Sequence, residues 1–330
     1  MSFDRTNWVW MNGKVVPWSG ATVHVSAHTL HYGSGVFEGM RCYETEDGPA
    51  VFRMDAHLER LFSSAEAYGV RIPYSKDELR DAVCETICSN QFTSCYVRPI
   101  CYHGSASLAV HPRNCPVEVV ILAWPWGAYL GEENVERGVR VTLASWTKFH
   151  SSMLPTIAKG CGGYLNSMLA AREAAAAGYD EALLLDENGN IAEGSGENLF
   201  LVQGDRLLTN DERSSILLGI TRDSVIEIAR DLGYQVEIGT LTLDDLGAAD
   251  EAFFTGTAVE VAPIRELDGK QIGEGRRGPV TERIQRGFFA VTSGRDRRYA
   301  GWLDLVAAQP VDGSRMTMLE SAPPVIGGSH

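Results

Sequence analysis

The chain holds five lysines, and one of them keeps unusual company. Lys14 follows a hairpin turn, Lys76 opens a helix and Lys270 sits in an Asp-Gly turn, all ordinary places for a solvated cation. Lys159 instead closes the apolar run Met153-Leu154-Pro155-Thr156-Ile157-Ala158 and leads into Gly160, Gly162 and Gly163, with no acidic residue near it in sequence. An amine desolvated in this way loses its preference for the charged form and becomes a nucleophile for an aldehyde. A surface lysine with its stem along apolar neighbours is the competing reading, and these neighbours alone do not separate the two. Glu193 stands at the end of one expected strand beside Gly194-Ser195-Gly196, before the chain returns as another strand from Asn198. If buried, that carboxylate needs a cationic partner, and the protonated ring nitrogen of a pyridine would serve; a turn glutamate in solvent would need none. Gly219 directly precedes an expected helix beginning Ile220-Thr221-Arg222, where free N–H groups and the helix dipole attract phosphate, although a plain helix start would look the same.

Other familiar catalytic strings are missing. No His is followed by Glu, no Ser has Gly two positions away on both sides, and neither Gly13-Lys14 nor Gly269-Lys270 continues with Ser or Thr. These facts remove the zinc helix, the nucleophile elbow and the P-loop. His24, His28 and His31 are spaced like metal ligands on a helix, but Val23-His24-Val25 alternates like a strand, so no metal is expected there. Gly33-Ser34-Gly35-Val36-Phe37-Glu38-Gly39 could pass for a dinucleotide loop, yet a hairpin strand follows where that fingerprint needs a helix. These glycines read better as points of close backbone approach to a ligand or another chain.

The elements that must position these residues alternate between hairpins and helices. Asn12-Gly13 closes one hairpin and Glu46-Asp47-Gly48 another; Asp55 is the expected cap of a helix with apolar positions Leu58, Leu61, Phe62 and Ala65, off whose stripe Arg60 lies. A capping box from Ser75 to Glu78 opens a second helix, and strands are expected at 95–101 and 118–124. After a Gly- and Pro-punctuated stretch at 125–131, strands are expected at 139–145, 181–186, 198–202, 234–237 and 251–255, with helices at 164–177, 221–232 and 279–292.

Length and composition limit what such a chain can be. Its 330 residues suggest about two domains, and 44% hydrophobic with 22% charged residues place it among globular proteins. With 29 Lys+Arg against 43 Asp+Glu the net charge is −14, which argues against binding a nucleic-acid backbone. Seven cysteines without paired spacing fit neither a disulfide framework nor zinc knuckles. The longest apolar run, 119–130, is too short to span a bilayer, and the start has no apolar signal region. A soluble, cytoplasmic protein is expected.

A lysine, a carboxylate and a phosphate cup together suit pyridoxal phosphate. Over about residues 7–305 the sequence resembles the fold type IV pyridoxal-phosphate aminotransferases, and among them the bacterial branched-chain amino acid aminotransferases. The resemblance is carried by residues 31–39, Tyr96-Val97-Arg98-Pro99, Pro125-Trp126-Gly127-Ala128-Tyr129, 155–159, 193–198, Gly219-Ile220-Thr221-Arg222 and Gly256-Thr257-Ala258-Val259-Glu260. It implies an α/β (α+β) fold with a small N-terminal domain at 1–124, an interdomain loop at 125–134 and a larger cofactor-binding domain at 135–309, the cofactor lying at their interface. Residues 310–330, rich in Pro, Gly and Ser, are expected to be a disordered tail.

The resemblance also implies roles. Lys159 matches the lysine that carries pyridoxal 5'-phosphate and moves the substrate proton, Glu193 the partner of the ring nitrogen, and Tyr164 the donor to the phenolic oxygen. Arg60, the N–H groups of Ile220 and Thr221, and Thr257 match the phosphate cup. Tyr96 with Thr257-Ala258 match the α-carboxylate site, and Arg98 the group that receives the side-chain carboxylate of glutamate. Tyr32, Phe37, Gly39, Trp126, Tyr129 and Tyr164 match residues around the substrate, while Leu108 and Val110 match a loop that closes the neighbouring subunit's pocket. A homodimer at least is implied, with small amino and keto acids as ligands and no metal, nucleic acid or membrane. The expected activity is transfer of the amino group of L-leucine, L-isoleucine or L-valine to 2-oxoglutarate by a ping-pong mechanism. The rivals are D-amino acid and (R)-amine transaminases and aminodeoxychorismate lyases, and, from another class, a non-catalytic acidic binding protein. The chain departs from the family pattern at 147–154, at Leu218 where Pro is common and at Gly163 where Asn is usual.

Overall fold

The computed structural model describes Phe3, residues 5–127, Leu130, Gly131 and residues 133–306; Tyr129 and the tail at 310–330 lie outside the described residues. Asn12 and Gly13 take φ of 51° and 88°, as the tight turn between β1 (Trp8–Met11) and β2 (Lys14–Pro17) requires. A short helix α1 (His28–Tyr32) leads to β3 (Gly35–Phe37), and β4 (Met40–Thr45) pairs with β5 (Gly48–Phe52). Helices α2 (Met54–Ala67) and α3 (Lys76–Ser89) precede the long antiparallel pair β6 (Cys95–His103) and β7 (Val117–Trp124). The chain continues through α4 (Asn134–Arg137), β8 (Val139–Leu143), α5 (Tyr164–Ala176), β9 (Glu181–Leu185), β10 (Ile191–Gly194), β11 (Asn198–Gln203) and β12 (Arg206–Thr209). Then come α6 (Ile220–Asp231), β13 (Gln235–Ile238), α7 (Leu243–Gly247), β14 (Glu251–Gly256), β15 (Glu260–Leu267), β16 (Lys270–Gln271), α8 (Pro279–Thr292) and β17 (Leu303–Leu305).

Two sheets result. The first runs β17, β5, β4, β6, β7, β1, β2, with β3 also on β6; the second runs β10, β9, β8, β15, β14, β11, β12, β13, with β16 on β15. The α/β class expected from the sequence is therefore observed. The closing strand β17 returns antiparallel to β5, so the span 135–309 does not stay with the second sheet.

Packing explains both the agreement and the departures. Leu58, Leu61, Ala65, Leu79, Val83 and Ile87 from α2 and α3 bury one face of the first sheet. In the second sheet β11 and β14 are buried on both faces, which is why they read as unbroken apolar runs. One face meets α6 and α8, with Phe200 stacked on Phe253 at 5.1 Å, and Phe52 of the first sheet reaches Phe288 at 5.6 Å. Asp55 does not cap α2: Arg53, at φ 53°, precedes the helix and is held by Trp302 and Asp223, and Asp55 lies within the first turn. The strand-like alternation around His24 forms no strand: Val23 and Val25 lie in neither sheet and are both exposed. His28 instead begins α1, its ring engaged by Ser34 and the Ala109 carbonyl. No helix among the described residues is long and apolar enough to cross a membrane.

Because α2 carries Arg60 into the cavity, the packing of its buried face sets where that guanidinium lies. Leu61→Ala, at a fully buried position, is expected to cost about 2–5 kcal/mol in urea unfolding. Glu66→Ala, on the exposed face, should stay within about 0.5 kcal/mol of the parent protein.

Candidate active site

Lys159 is fixed by its backbone before its side chain does anything. Its N–H donates to Ser64 Oγ on α2 at 2.9 Å, its carbonyl accepts from Phe37 N–H at 3.1 Å, and Gly160 forms a bridge with Val36. The lysine segment is thus pinned between β3 and α2. Gly160 permits this approach, since a Cβ there would lie 2.4 Å from the Tyr68 ring. The Lys159 amine donates to Tyr164 Oη at 2.6 Å and lies 5.1 Å from the Phe37 ring centroid. Burial, followed by repulsion from Arg60, lowers its pKa to about 8. Tyr164 moves the other way, its phenol held protonated by burial and the nearby charge of Glu193.

Arg60 leaves the apolar stripe of α2 and turns to Glu38, which follows β3. Nε donates to Oε1 at 2.6 Å and Nη2 to Oε2 at 3.0 Å, while Nη1 reaches the Leu218 carbonyl at 2.9 Å. Glu38 is fully buried, and burial alone would raise its pKa; the Arg60 charge and the His57 hydrogen bond at 2.7 Å prevail and hold the carboxyl well below its usual range. His57 is kept neutral by burial, so Nδ1 carries the proton that it donates to Glu38.

Glu193 occupies the buried end of the site, near the end of β10. Oε1 accepts from Lys148 Nζ at 2.5 Å; Oε2 accepts from Asn198 Nδ2 at 3.2 Å and from Leu217 N–H at 3.1 Å. Two residues beyond Leu217, Gly219 precedes α6; its lack of a side chain leaves the first N–H groups uncapped and avoids a clash, a Cβ there falling 2.1 Å from Asn198 Oδ1. Ile220 and Thr221 are buried beneath this end.

The substrate half is aromatic. Arg98 lies over Phe37 at 4.7 Å and over Tyr96 at 5.2 Å, with Nη2 donating to Tyr96 Oη at 3.3 Å. Trp126 packs on Tyr96 at 4.6 Å and donates to the Ala258 carbonyl at 3.2 Å. Gly39 leaves the space that the Tyr96 hydroxyl fills.

A single cavity of about 640 Å³ brings most of the expected residues together: Lys159, Tyr164, Glu193, Arg60, Ile220, Thr221, Thr257, Ala258, Phe37, Gly39, Tyr96, Arg98 and Trp126. Tyr32 is not among its lining residues; its hydroxyl donates to the Leu108 carbonyl at 2.7 Å on the surface, where Leu108 and Val110 are 50% and 79% exposed. Sequence reasoning missed Glu38, His57, Lys148 and Asn198. Their roles depend on partners far away in sequence, and only the acidic residue inside the glycine run 33–39 offered a local signal. The cavity suits a ring that bears an aldehyde, a basic nitrogen and a phosphate: it offers an amine, an ionised carboxylate, and a guanidinium beside an uncapped helix start.

Comparison with known proteins agrees. Residues 35–267 match the family model "Amino-transferase class IV". A branched-chain-amino-acid aminotransferase of Pseudomonas aeruginosa is 46% identical over 303 residues, covering 92% of this chain and 98% of the relative. The crystal structure of the T.th. branched-chain amino acid aminotransferase with pyridoxamine 5'-phosphate superimposes with a TM-score of 0.89 at 48% identity, covering 92% of this chain and 99% of that one. The same protein complexed with N-(5'-phosphopyridoxyl)-L-glutamate gives a TM-score of 0.88 at 46% identity, with the same coverage. Fold and site thus define a fold type IV aminotransferase. The chain belongs to the class IV aminotransferase family.

The lowered basicity of Lys159 can be read directly. In protein freed of any bound aldehyde, labelling of Lys159 by an amine-reactive reagent, followed by peptide mass spectrometry, should rise with pH to a midpoint near 8.

Proposed function

We propose that this chain is a pyridoxal 5'-phosphate-dependent transaminase that passes the amino group of L-leucine, L-isoleucine or L-valine to 2-oxoglutarate in a ping-pong sequence. The observation that carries this reading is one cavity lined by the Lys159 amine, Glu193 and Arg60, with an arginine among aromatics as its substrate wall. When bound, the cofactor supplies an aldehyde that accepts the amino group and a ring that draws electrons from the substrate α-carbon. Lys159, its amine half deprotonated near pH 8, holds the cofactor and moves the α-carbon proton. Glu193 binds the ring nitrogen, Tyr164 donates to the phenolic oxygen, and Arg60 with the N–H groups of Ile220 and Thr221 and with Thr257 holds the phosphate.

Tyr96, Thr257 and Ala258 take the α-carboxylate, and Phe37 and Trp126 wall an aliphatic side chain. Arg98 takes the second carboxylate of glutamate or 2-oxoglutarate; relatives that bind L-glutamate on the cofactor and carry branched-chain names support both substrates. Residues 1–124 and 135–309 are the two domains that enclose the cofactor, with β17 returned to the first. A homodimer at least uses the exposed Leu108, whose carbonyl accepts from Tyr32, and the exposed Val110 to close the cavity of a second copy.

Purified protein loaded with pyridoxal 5'-phosphate should be yellow, lose that absorbance with L-leucine and regain it with 2-oxoglutarate. A colourless protein that cannot be reconstituted would overturn the reading. Borohydride reduction is expected to fix the cofactor on Lys159; a peptide map placing it on Lys148 would refute that assignment. Arg98→Met should lower kcat/KM for the 2-oxoglutarate half-reaction by about 10- to 100-fold more than for the leucine half-reaction, as measured by separate single turnovers. Equal losses would remove Arg98 from the second-carboxylate role.

A further inference from the structure

The roles assigned above leave Lys148 unused, yet its placement is demanding. The side chain is only 7% exposed, and Nζ donates to Glu193 Oε1 at 2.5 Å while lying 4.7 Å from the Phe149 ring. Its backbone is anchored as well, the N–H donating to the Leu185 carbonyl at 2.8 Å where β9 ends. Burying an ammonium is unfavourable unless a counter-charge meets it, and Glu193 is the carboxylate that does. The other oxygen of Glu193 takes two neutral N–H donors, from Asn198 and Leu217. The carboxylate is therefore gripped at both oxygens, and the cationic grip comes from Lys148.

We propose that Lys148 is a positioning residue that keeps the proton shared by Glu193 and the cofactor's ring nitrogen on the nitrogen. This rests on the transaminase reading of the same site. Between a carboxyl oxygen and a basic ring nitrogen there is one proton to place. On the oxygen it gives a neutral pair; on the nitrogen it gives a carboxylate facing a cation. An ammonium hydrogen-bonded to one carboxyl oxygen stabilises the charged carboxylate much more than the neutral carboxyl. Asn198 and Leu217 act in the same direction more weakly, because they bring no net charge. The burial of this group of residues strengthens the effect by excluding competing water. The same amine is within electrostatic reach of Tyr164, which touches Lys159, so its charge is felt there as well as at Glu193.

The test uses holoenzyme loaded with cofactor carrying ¹⁵N in the ring, with the nitrogen's chemical shift as readout. The parent protein and Lys148→Arg, which restores the cation, should both show a protonated ring nitrogen. Lys148→Met should move the shift toward the unprotonated value and lower kcat by about tenfold or more, with KM for leucine changing much less. Lys148→Gln, which keeps a donor without the charge, should fall between them and serves if Lys148→Met does not fold. In a Glu193→Gln background, Lys148→Met should add little further loss, because the residue acts through that carboxylate. An unchanged ¹⁵N shift in Lys148→Met or Lys148→Gln, or losses that simply add in the double variant, would overturn the proposal. Failure of the parent protein to take the cofactor on Lys159 would instead overturn the transaminase reading itself.

Discussion

The buried ion pair of Glu38 and Arg60 is the interaction on which the rest of the site hangs. A guanidinium that is to hold a phosphate must stay charged and stay still, yet its position on α2 faces a partly closed cavity. Glu38 meets both needs with a two-pronged contact, and His57 fixes the carboxylate from the other side. Removing either partner would leave a charge buried without its counter-ion, which is far costlier than the pair itself. The pair also joins the two parts of the fold, because Arg60 continues to the Leu218 carbonyl just before α6. Its neighbours in sequence extend the constraint. Val36 bridges Gly160, Phe37 N–H takes the Lys159 carbonyl and Gly39 makes room for Tyr96, so one short segment locates the lysine, the arginine and the substrate wall.

That arrangement gives an acidic chain a locally cationic interior. Arg60, Arg98, Lys148 and Lys159 line the cavity, although the chain as a whole carries −14. This gathering of positive groups serves two ends. On the proposed reading it draws in phosphate and carboxylates, and it disfavours the charged form of the Lys159 amine, whose pKa burial, Arg60 and Arg98 together lower. Arg60 is held by Glu38 and Lys148 by Glu193, which leaves Lys159 to give up its proton. Glu197 also lines the cavity, and burial with the neighbouring Glu181 pushes its pKa up, which disfavours a further negative charge there.

Much of this was legible in the sequence wherever the signal was local. The Asn-Gly hairpin, the Ser75 capping box and the glycine before α6 each follow from a few adjacent residues, and so did the odd setting of Lys159. Partnership was not legible. Lys148 and Glu193 are 45 residues apart and Glu38 and Arg60 are 22 apart, and nothing in either segment says that they meet. The misreadings have the same origin. Asp55 offered a sound cap, but contacts of Arg53 with Trp302 and Asp223 fixed the helix start at Met54. The alternation around His24 suggested a strand, but Val23 and Val25 lie in neither sheet and both are exposed.

On the proposed reading, Arg98 lets one pocket meet two kinds of side chain. Its guanidinium plane is bracketed by Phe37 at 4.7 Å, Tyr96 at 5.2 Å and Trp124 at 5.8 Å, contacts that favour a weakly hydrated planar cation over a compact ammonium. With its faces against rings, the charge is reachable only at the edges, where Nη2 already has the Tyr96 hydroxyl. A carboxylate arriving at an edge gains a charge-assisted hydrogen bond, whereas an aliphatic chain meets ring surface and the arginine stem instead of an exposed charge. The rings therefore do for Arg98 the opposite of what Glu38 does for Arg60. They leave the cation unneutralised but sheltered, so that a carboxylate ligand can complete its pairing and an apolar ligand does not have to.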